Sequence, residues 1–152
     1  PFVVDHGSME ALGFRIANVA YLPDVVAIPE SSWAHLEGLE CWILDALRRK
    51  PHPTHAHLAL TLEWLARAAP ERGVLTNMHL DLDYASLAAE LPAHITPAFD
   101  GMVIELPAAL MDAARRLRGR NVALAGAAML AAGCQVIPKT DVATAPPPAP
   151  AP

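Results

Sequence analysis

Apolar and polar positions form short, changing patterns from the first residues of the chain to about residue 106. Phe2-Val3-Val4 reads as the end of a strand, and Phe14 to Leu22 has the alternation and aromatic content of another, closing at Pro23-Asp24. The segment Ile28 to Glu40 opens with Pro29 and a Ser31-Ser32 pair suited to capping, then places Trp33, Leu36 and Leu39 at helical spacing, which predicts a short helix. Cys41-Trp42-Ile43-Leu44 is a continuous apolar run bounded by charge, the pattern of a buried strand, and it ends near Asp45-Ala46-Leu47.

Arg48-Arg49-Lys50 leads into Pro51-His52-Pro53, where the prolines forbid regular pairing. Thr54 is placed to cap a helix over residues 55–69 that buries Leu58, Leu62 and Leu65 on one face and stops before Pro70. Residues 73–77 read as a strand, 78–83 as a polar-studded loop and Tyr84 to Leu91 as a helix. A final strand lies within Phe99 to Leu106, opened by an Asp100-Gly101 turn. Strands alternate with helices throughout, which predicts an α/β layered domain over residues 1–106. The texture changes near residues 107–110: a basic, then apolar, signal-like helix is expected over 107–134 and a disordered Pro/Ala-rich tail over 135–152.

Charge divides the chain at the same place. Residues 1–110 hold six Lys/Arg against fourteen Asp/Glu, and residues 111–152 hold five against two. An acidic body lacks the clustered Lys/Arg of a nucleic-acid phosphate footprint, so no nucleic-acid partner is expected. The apolar fraction of 53% is inflated by the alanine-rich stretch near the end, so the core is smaller than that total suggests. Both cysteines, Cys41 and Cys134, lie in segments too different to suggest a disulfide framework, and the body reads as cytoplasmic. Pro1 followed at once by a strand-like run predicts that the chain begins inside a longer protein.

All seven histidines precede residue 95. Three segments place a histidine or carboxylate where a strand ends: Asp5-His6-Gly7, Leu22-Pro23-Asp24 and Asn77-Met78-His79. Strand ends on one edge of a sheet converge on one crevice, and imidazole with carboxylate is the donor set of hydrolytic zinc or manganese sites. Each residue also has a plainer reading: His6 as a turn residue, Asp24 as a cap for the turn at Val25, His79 as a solvated loop residue.

The ordered series HG (6–7), GFRIANVAYLPDV (13–25), HPTH (52–55), LTNMHLDLDY (75–84) and PAFDGM (97–102) resembles the second half of metallo-β-lactamase superfamily hydrolases similar to phosphoribosyl 1,2-cyclic phosphate phosphodiesterases. The resemblance implies half of an αββα sandwich over residues 1–106. It makes His6 and Asp24 metal ligands, with Asp24 between two ions, and His79 the final histidine ligand, although many relatives have histidine where Asn77 stands. His55 resembles the histidine that contacts the substrate phosphate or protonates the leaving oxygen. His52, His55 and His57 crowd a helix start, where they equally serve as caps or face water. Asp81 and Asp83 are read as a cap for the following helix or as partners of an imidazole, with capping preferred.

The implied parent activity is hydrolysis of a small phosphodiester with two divalent ions, zinc or manganese, that activate water and neutralise the ester oxygens. The HxHxDH cluster that defines the family does not occur in this sequence. Three candidate ligands are too few for two metals, so one ion or none is expected here and the chain reads as an incomplete enzyme. The reading leaves room for a homodimer.

Arg115 to Arg120, the apolar run from Val122 and Leu130-Ala131-Ala132-Gly133-Cys134 have the three parts of a bacterial lipoprotein signal, with Cys134 as the lipidated residue. The apolar run is shorter than the roughly 20 residues a transmembrane helix needs. Because such signals belong at an N-terminus, residues 111–152 are read as the start of a second reading frame joined to the hydrolase. A C-terminal helix with a disordered tail is the alternative. Membrane attachment is expected only if Cys134 is processed, and the competing function is a lipid-anchored envelope binding module with a non-catalytic scaffold half.

Overall fold

Strand direction decides where the site falls. The computed structural model describes residues 1–106 and the backbone of one strand, Gln135–Pro138. A six-stranded sheet runs in the order β1 (Phe2–His6), β2 (Met9–Ile16), β3 (Val19–Leu22), β4 (Cys41–Asp45), β5 (Arg72–Thr76) and β6 (Ile95–Pro97). β2 is antiparallel to both neighbours, while β3, β4, β5 and β6 are mutually parallel. All strands but β2 therefore point one way, and their C-terminal ends line one edge of the sheet. The short helix α1 (Glu30–Trp33) with a 3₁₀ turn over Ala34–Leu36, then α2 (Leu58–Ala68), then α3 (Tyr84–Glu90) make the crossovers between the parallel strands. This is the mixed α/β half-sandwich expected from the alternation of elements.

Both faces of the central strands are covered, which is why β4 reads as an unbroken apolar run. Trp42 and Leu44 face a core with Leu22, Trp33, Leu36, Leu65, Leu75 and Leu87, while Cys41 and Ile43 face a second cluster with Val19, Tyr21, Val74, Met102 and Ile104. α2 ends where Ala69 turns left-handed at φ +47° and its N–H bonds to Leu65, just ahead of Pro70. Asp83 caps α3 by accepting from the Ser86 backbone N–H at 2.9 Å, as the sequence predicted.

Several expectations need correction. Phe14 to Leu22 is not one strand but the end of β2 and all of β3, joined by a tight turn at Ala17-Asn18. Neither Gly nor Pro marks that turn. Ala17 adopts φ +53°, and its carbonyl accepts from Arg15 Nε at 2.7 Å while that of Asn18 accepts from the Glu40 N–H. The serine pair does not cap α1: Pro29 holds that position, and Ser32 Oγ instead donates to the Val3 carbonyl at 2.6 Å, tying the helix to β1. Thr54 does not cap α2, which starts at Leu58 with His57 before it. β6 was not foreseen. β7 (Val103–Leu106) pairs in parallel with β8 (Gln135–Pro138), so the reading of a disordered tail from residue 135 is narrowed at its start, where Gln135-Val136-Ile137 is a β-prone run. The signal-like segment with Cys134, and residues 139–152, lie outside the described residues.

Candidate metal centre

His6 ends β1, and the Gly7-Ser8 turn after it reverses the chain into β2, with Gly7 at φ +75°. Asp24 follows β3. The loop beyond it is drawn against β1 because the Asp5 N–H donates to the Ala27 carbonyl at 2.9 Å and the Asp5 carbonyl accepts from the Val26 N–H at 2.8 Å. Asp45 ends β4, Asn77 follows β5, and the 51–57 loop brings His55 over the same edge.

The result is a group of His6, Asp24 and His55 in which one ligand atom from each lies within 4.8 Å of the others. Each imidazole is fixed through Nδ1. His6 Nδ1 lies 2.7 Å from the Thr54 carbonyl, which can only accept, so Nδ1 carries the proton. His55 Nδ1 lies 2.7 Å from Oδ2 of Asp45, whose side chain has no solvent exposure, and 4.0 Å from Oδ1 of Asp24. Both rings thus keep the lone pair on Nε2, the state in which imidazole binds a cation. The rings meet edge to face, with centroids 4.6 Å apart.

Asp45 carries no assigned role in the sequence reading and Asn77 is passed over there as a ligand, yet both stand in the site. Asp45 Oδ1 accepts from Asn77 Nδ2 at 3.2 Å, and the same amide reaches the Pro23 carbonyl at 3.4 Å. Asn77 Nδ2 also lies 3.3 Å from His55 Nδ1, a close approach rather than a bond while that nitrogen carries its proton. Asn77 adopts φ +61°, a left-handed conformation that asparagine tolerates better than most residues. Burial pushes the Asp45 carboxyl up to about 6, against the opposing pull of hydrogen bonds and charge from His55 and of hydrogen bonds from Asn77 and the Val25 backbone. The signal for Asp45 was available: a carboxylate ending an otherwise apolar strand is the same pattern that marked His6 and Asp24.

His79 lies elsewhere in the arrangement. Its side chain is 61% exposed, its Nδ1 sits 3.4 Å from Asp81 Oδ1, and it is outside the three-residue group. Its backbone N–H docks the loop on the Leu47 carbonyl at 2.7 Å. Asp81 thus partners an imidazole while Asp83 caps, so the two roles foreseen for the pair are divided between them. His57 precedes α2 without a capping bond from its side chain.

Two part-buried imidazoles, oriented by a carbonyl and a buried carboxylate, and the exposed carboxylate of Asp24 fit one divalent cation of the zinc or manganese type. They do not complete a site for two. Among the described residues no helix is long and apolar enough to cross a membrane.

A sheet of this build, with histidine and carboxylate gathered at its strand ends, is one layer of a metallo-β-lactamase-type sandwich. A model of the Beta-lactamase superfamily domain matches residues 1–78, about half of the chain, and the chain belongs to that superfamily. The crystal structure of a new diphosphatase from the PhnP family is similar, at a TM-score of 0.64 and 38% identity, covering 66% of this chain and 40% of that one. An octanoyltransferase of Porphyromonas gingivalis (strain ATCC BAA-308 / W83) is 28% identical over 105 residues, 67% of this chain and 21% of that protein. The chain thus spans about a fifth of that curated relative and two fifths of that solved structure.

Proposed function

We propose that the chain supplies part of the active site of a metal-dependent hydrolase of small phosphodiesters, with His6 and Asp24 holding a divalent cation and His55 serving the substrate. The observation that carries this reading is the convergence of His6, Asp24 and His55 from separate segments onto one sheet edge. The likeness to a PhnP-family diphosphatase supports phosphate chemistry over the other reactions that this fold hosts. A bound cation would supply Lewis acidity toward the ester oxygens and toward water. His55 faces that centre with Nδ1 bonded to the Asp45 carboxylate, so a proton gained at Nε2 would be stabilised by a buried negative charge and could pass to the leaving oxygen. Asn77, bonded to the other oxygen of Asp45, holds that carboxylate in line.

A second reading makes His55 the third ligand, favoured by the spacing within the group. His55→Gln separates the two: a ligand role predicts a loss of zinc affinity, a proton-transfer role predicts its retention. Residues 1–106 alone are expected to show no turnover of bis(p-nitrophenyl) phosphate above background, because their donors serve one cation. A chimera placing a superfamily segment with the HxHxDH cluster ahead of Pro1 is expected to hydrolyse that diester in zinc or manganese. A chimera that loads metal and cleaves no diester would contradict the proposal, and rapid turnover by residues 1–106 would contradict the half-site. The alternative of a lipid-anchored envelope module rests on Cys134 and is tested by acyl labelling that Cys134→Ser abolishes.

A further inference from the structure

His52 is a part-buried histidine beside the site that the scheme above leaves without a role. Its ring centroid lies 5.3 Å from that of His55. The loop that bears it is held at several points. Arg48 donates from Nε to the Lys50 carbonyl at 3.1 Å and from its guanidinium to the Pro51 carbonyl at 2.7 Å. The Thr54 carbonyl receives the His6 bond. Gly7 packs so closely that an added Cβ would meet Thr54 Cγ2 at 2.6 Å and the Pro53 carbonyl at 3.0 Å. Pro51 and Pro53 restrict the backbone on either side. A side chain on such a base keeps its place relative to His6 and His55 without help from a ligand.

Its hydrogen bonding sets it apart from its neighbours. The Thr54 backbone N–H donates to His52 Nδ1 at 3.4 Å, and Thr54 Oγ1 lies 3.3 Å from the same nitrogen. A backbone N–H cannot accept, so Nδ1 is the lone-pair nitrogen and Nε2 carries the proton. His6 and His55 have the opposite tautomer. Of three adjacent imidazoles, two offer a lone pair, which suits a cation, and one offers an N–H, which suits an anionic oxygen beside that cation.

We propose that His52 is a substrate-contact residue that donates from Nε2 to an oxygen of the phosphate group bound at the His6, Asp24 and His55 site. The proposal rests on the phosphodiester reading of that site. The test is titration of the full chain, loaded with zinc, with inorganic phosphate, beside His52→Phe and His52→Gln. His52→Phe should lose about tenfold or more in phosphate affinity, the worth of one hydrogen bond to a charged group, whereas His52→Gln keeps a neutral donor and most of the affinity. Zinc affinity should be unchanged in both. Equal phosphate affinity in His52→Phe, or a parallel fall in zinc affinity that reveals a merely structural role, would overturn the proposal. Imidazole nitrogen NMR of the metal-free chain should show His52 protonated on Nε2 and His6 on Nδ1, and the reverse at His52 overturns it too. If the chain takes up no zinc, the reading of the site fails on its own. Phosphate added to the metal-free chain then decides the matter at His52: a shift of its Nε2 resonance sustains the contact, and none refutes it.

Discussion

His55 Nδ1 sits 2.7 Å from Oδ2 of Asp45, a carboxylate wholly withdrawn from solvent at the end of β4. The partnership fixes which nitrogen of His55 carries the proton. In Asp45→Asn the side chain keeps its shape, but its amide oxygen is claimed by the Asn77 Nδ2 donor and its NH₂ group faces His55 Nδ1. We expect the His55 proton to move from Nδ1 to Nε2, read directly from imidazole nitrogen shifts. A His55 that keeps its Nδ1 proton in this variant would show that Asp45 does not set its tautomer.

The same carboxyl gives a pH dependence with a definite sign. Its folded pKa of about 6 lies above the ordinary aspartate value of 3.8, so its contribution to stability is fully present below that lower value and is lost as pH rises through the upper one. Asp45→Asn removes this slope. In urea denaturation of the metal-free chain, the variant should gain on the parent between about pH 4 and about pH 6.5. A constant difference across that window would contradict the raised pKa.

Gly7 carries two constraints at once. Alanine there meets a φ of +75° and a Cβ position 2.6 Å from Thr54 Cγ2. Left-handed backbone costs a non-glycine residue roughly 1–2 kcal/mol, and overpacking adds about 1–3 kcal/mol. Gly7→Ala should therefore unfold at markedly lower urea, and the hydrogen bond from His6 to Thr54 should loosen with it. Unaltered stability would mean that the 53–54 segment yields freely.

Position 77, rather than 79, stands at the centre. His79→Ala should leave zinc affinity within about twofold of the parent, because loss of a solvated side chain away from the donors changes little. Asn77→His, at a left-handed position that histidine also tolerates, should add a donor and tighten zinc by about tenfold or more. Isothermal titration decides both, and the opposite pattern would restore His79 as the ligand.

Much of this was legible in the sequence because period and strand ends are local features. The apolar run of β4 and the spacing in α2 fix those elements, and an acid or imidazole at a strand end marked His6 and Asp24. The turn at Ala17-Asn18 escaped because Arg15 and the Glu40 N–H hold it, and neither contact leaves a local signal. Thr54 departs from its expected capping role for a related reason: its carbonyl, N–H and hydroxyl all serve the neighbouring histidines His6 and His52, and α2 begins three residues after the 55 expected for it. Asparagine is a poor ligand for zinc or manganese, so the sequence alone favours His79 over Asn77. The backbone places Asn77, in a left-handed turn directly after β5, against Asp45 and His55, and carries His79 out to Asp81.

The most direct test of the account is a zinc titration of the full chain followed by calorimetry and metal analysis. One ion per chain is predicted, with affinity lowered by about tenfold or more in His6→Ala and in Asp24→Ala, since each removes a donor. Zinc that fails to bind, or binds as well after both substitutions, would contradict it.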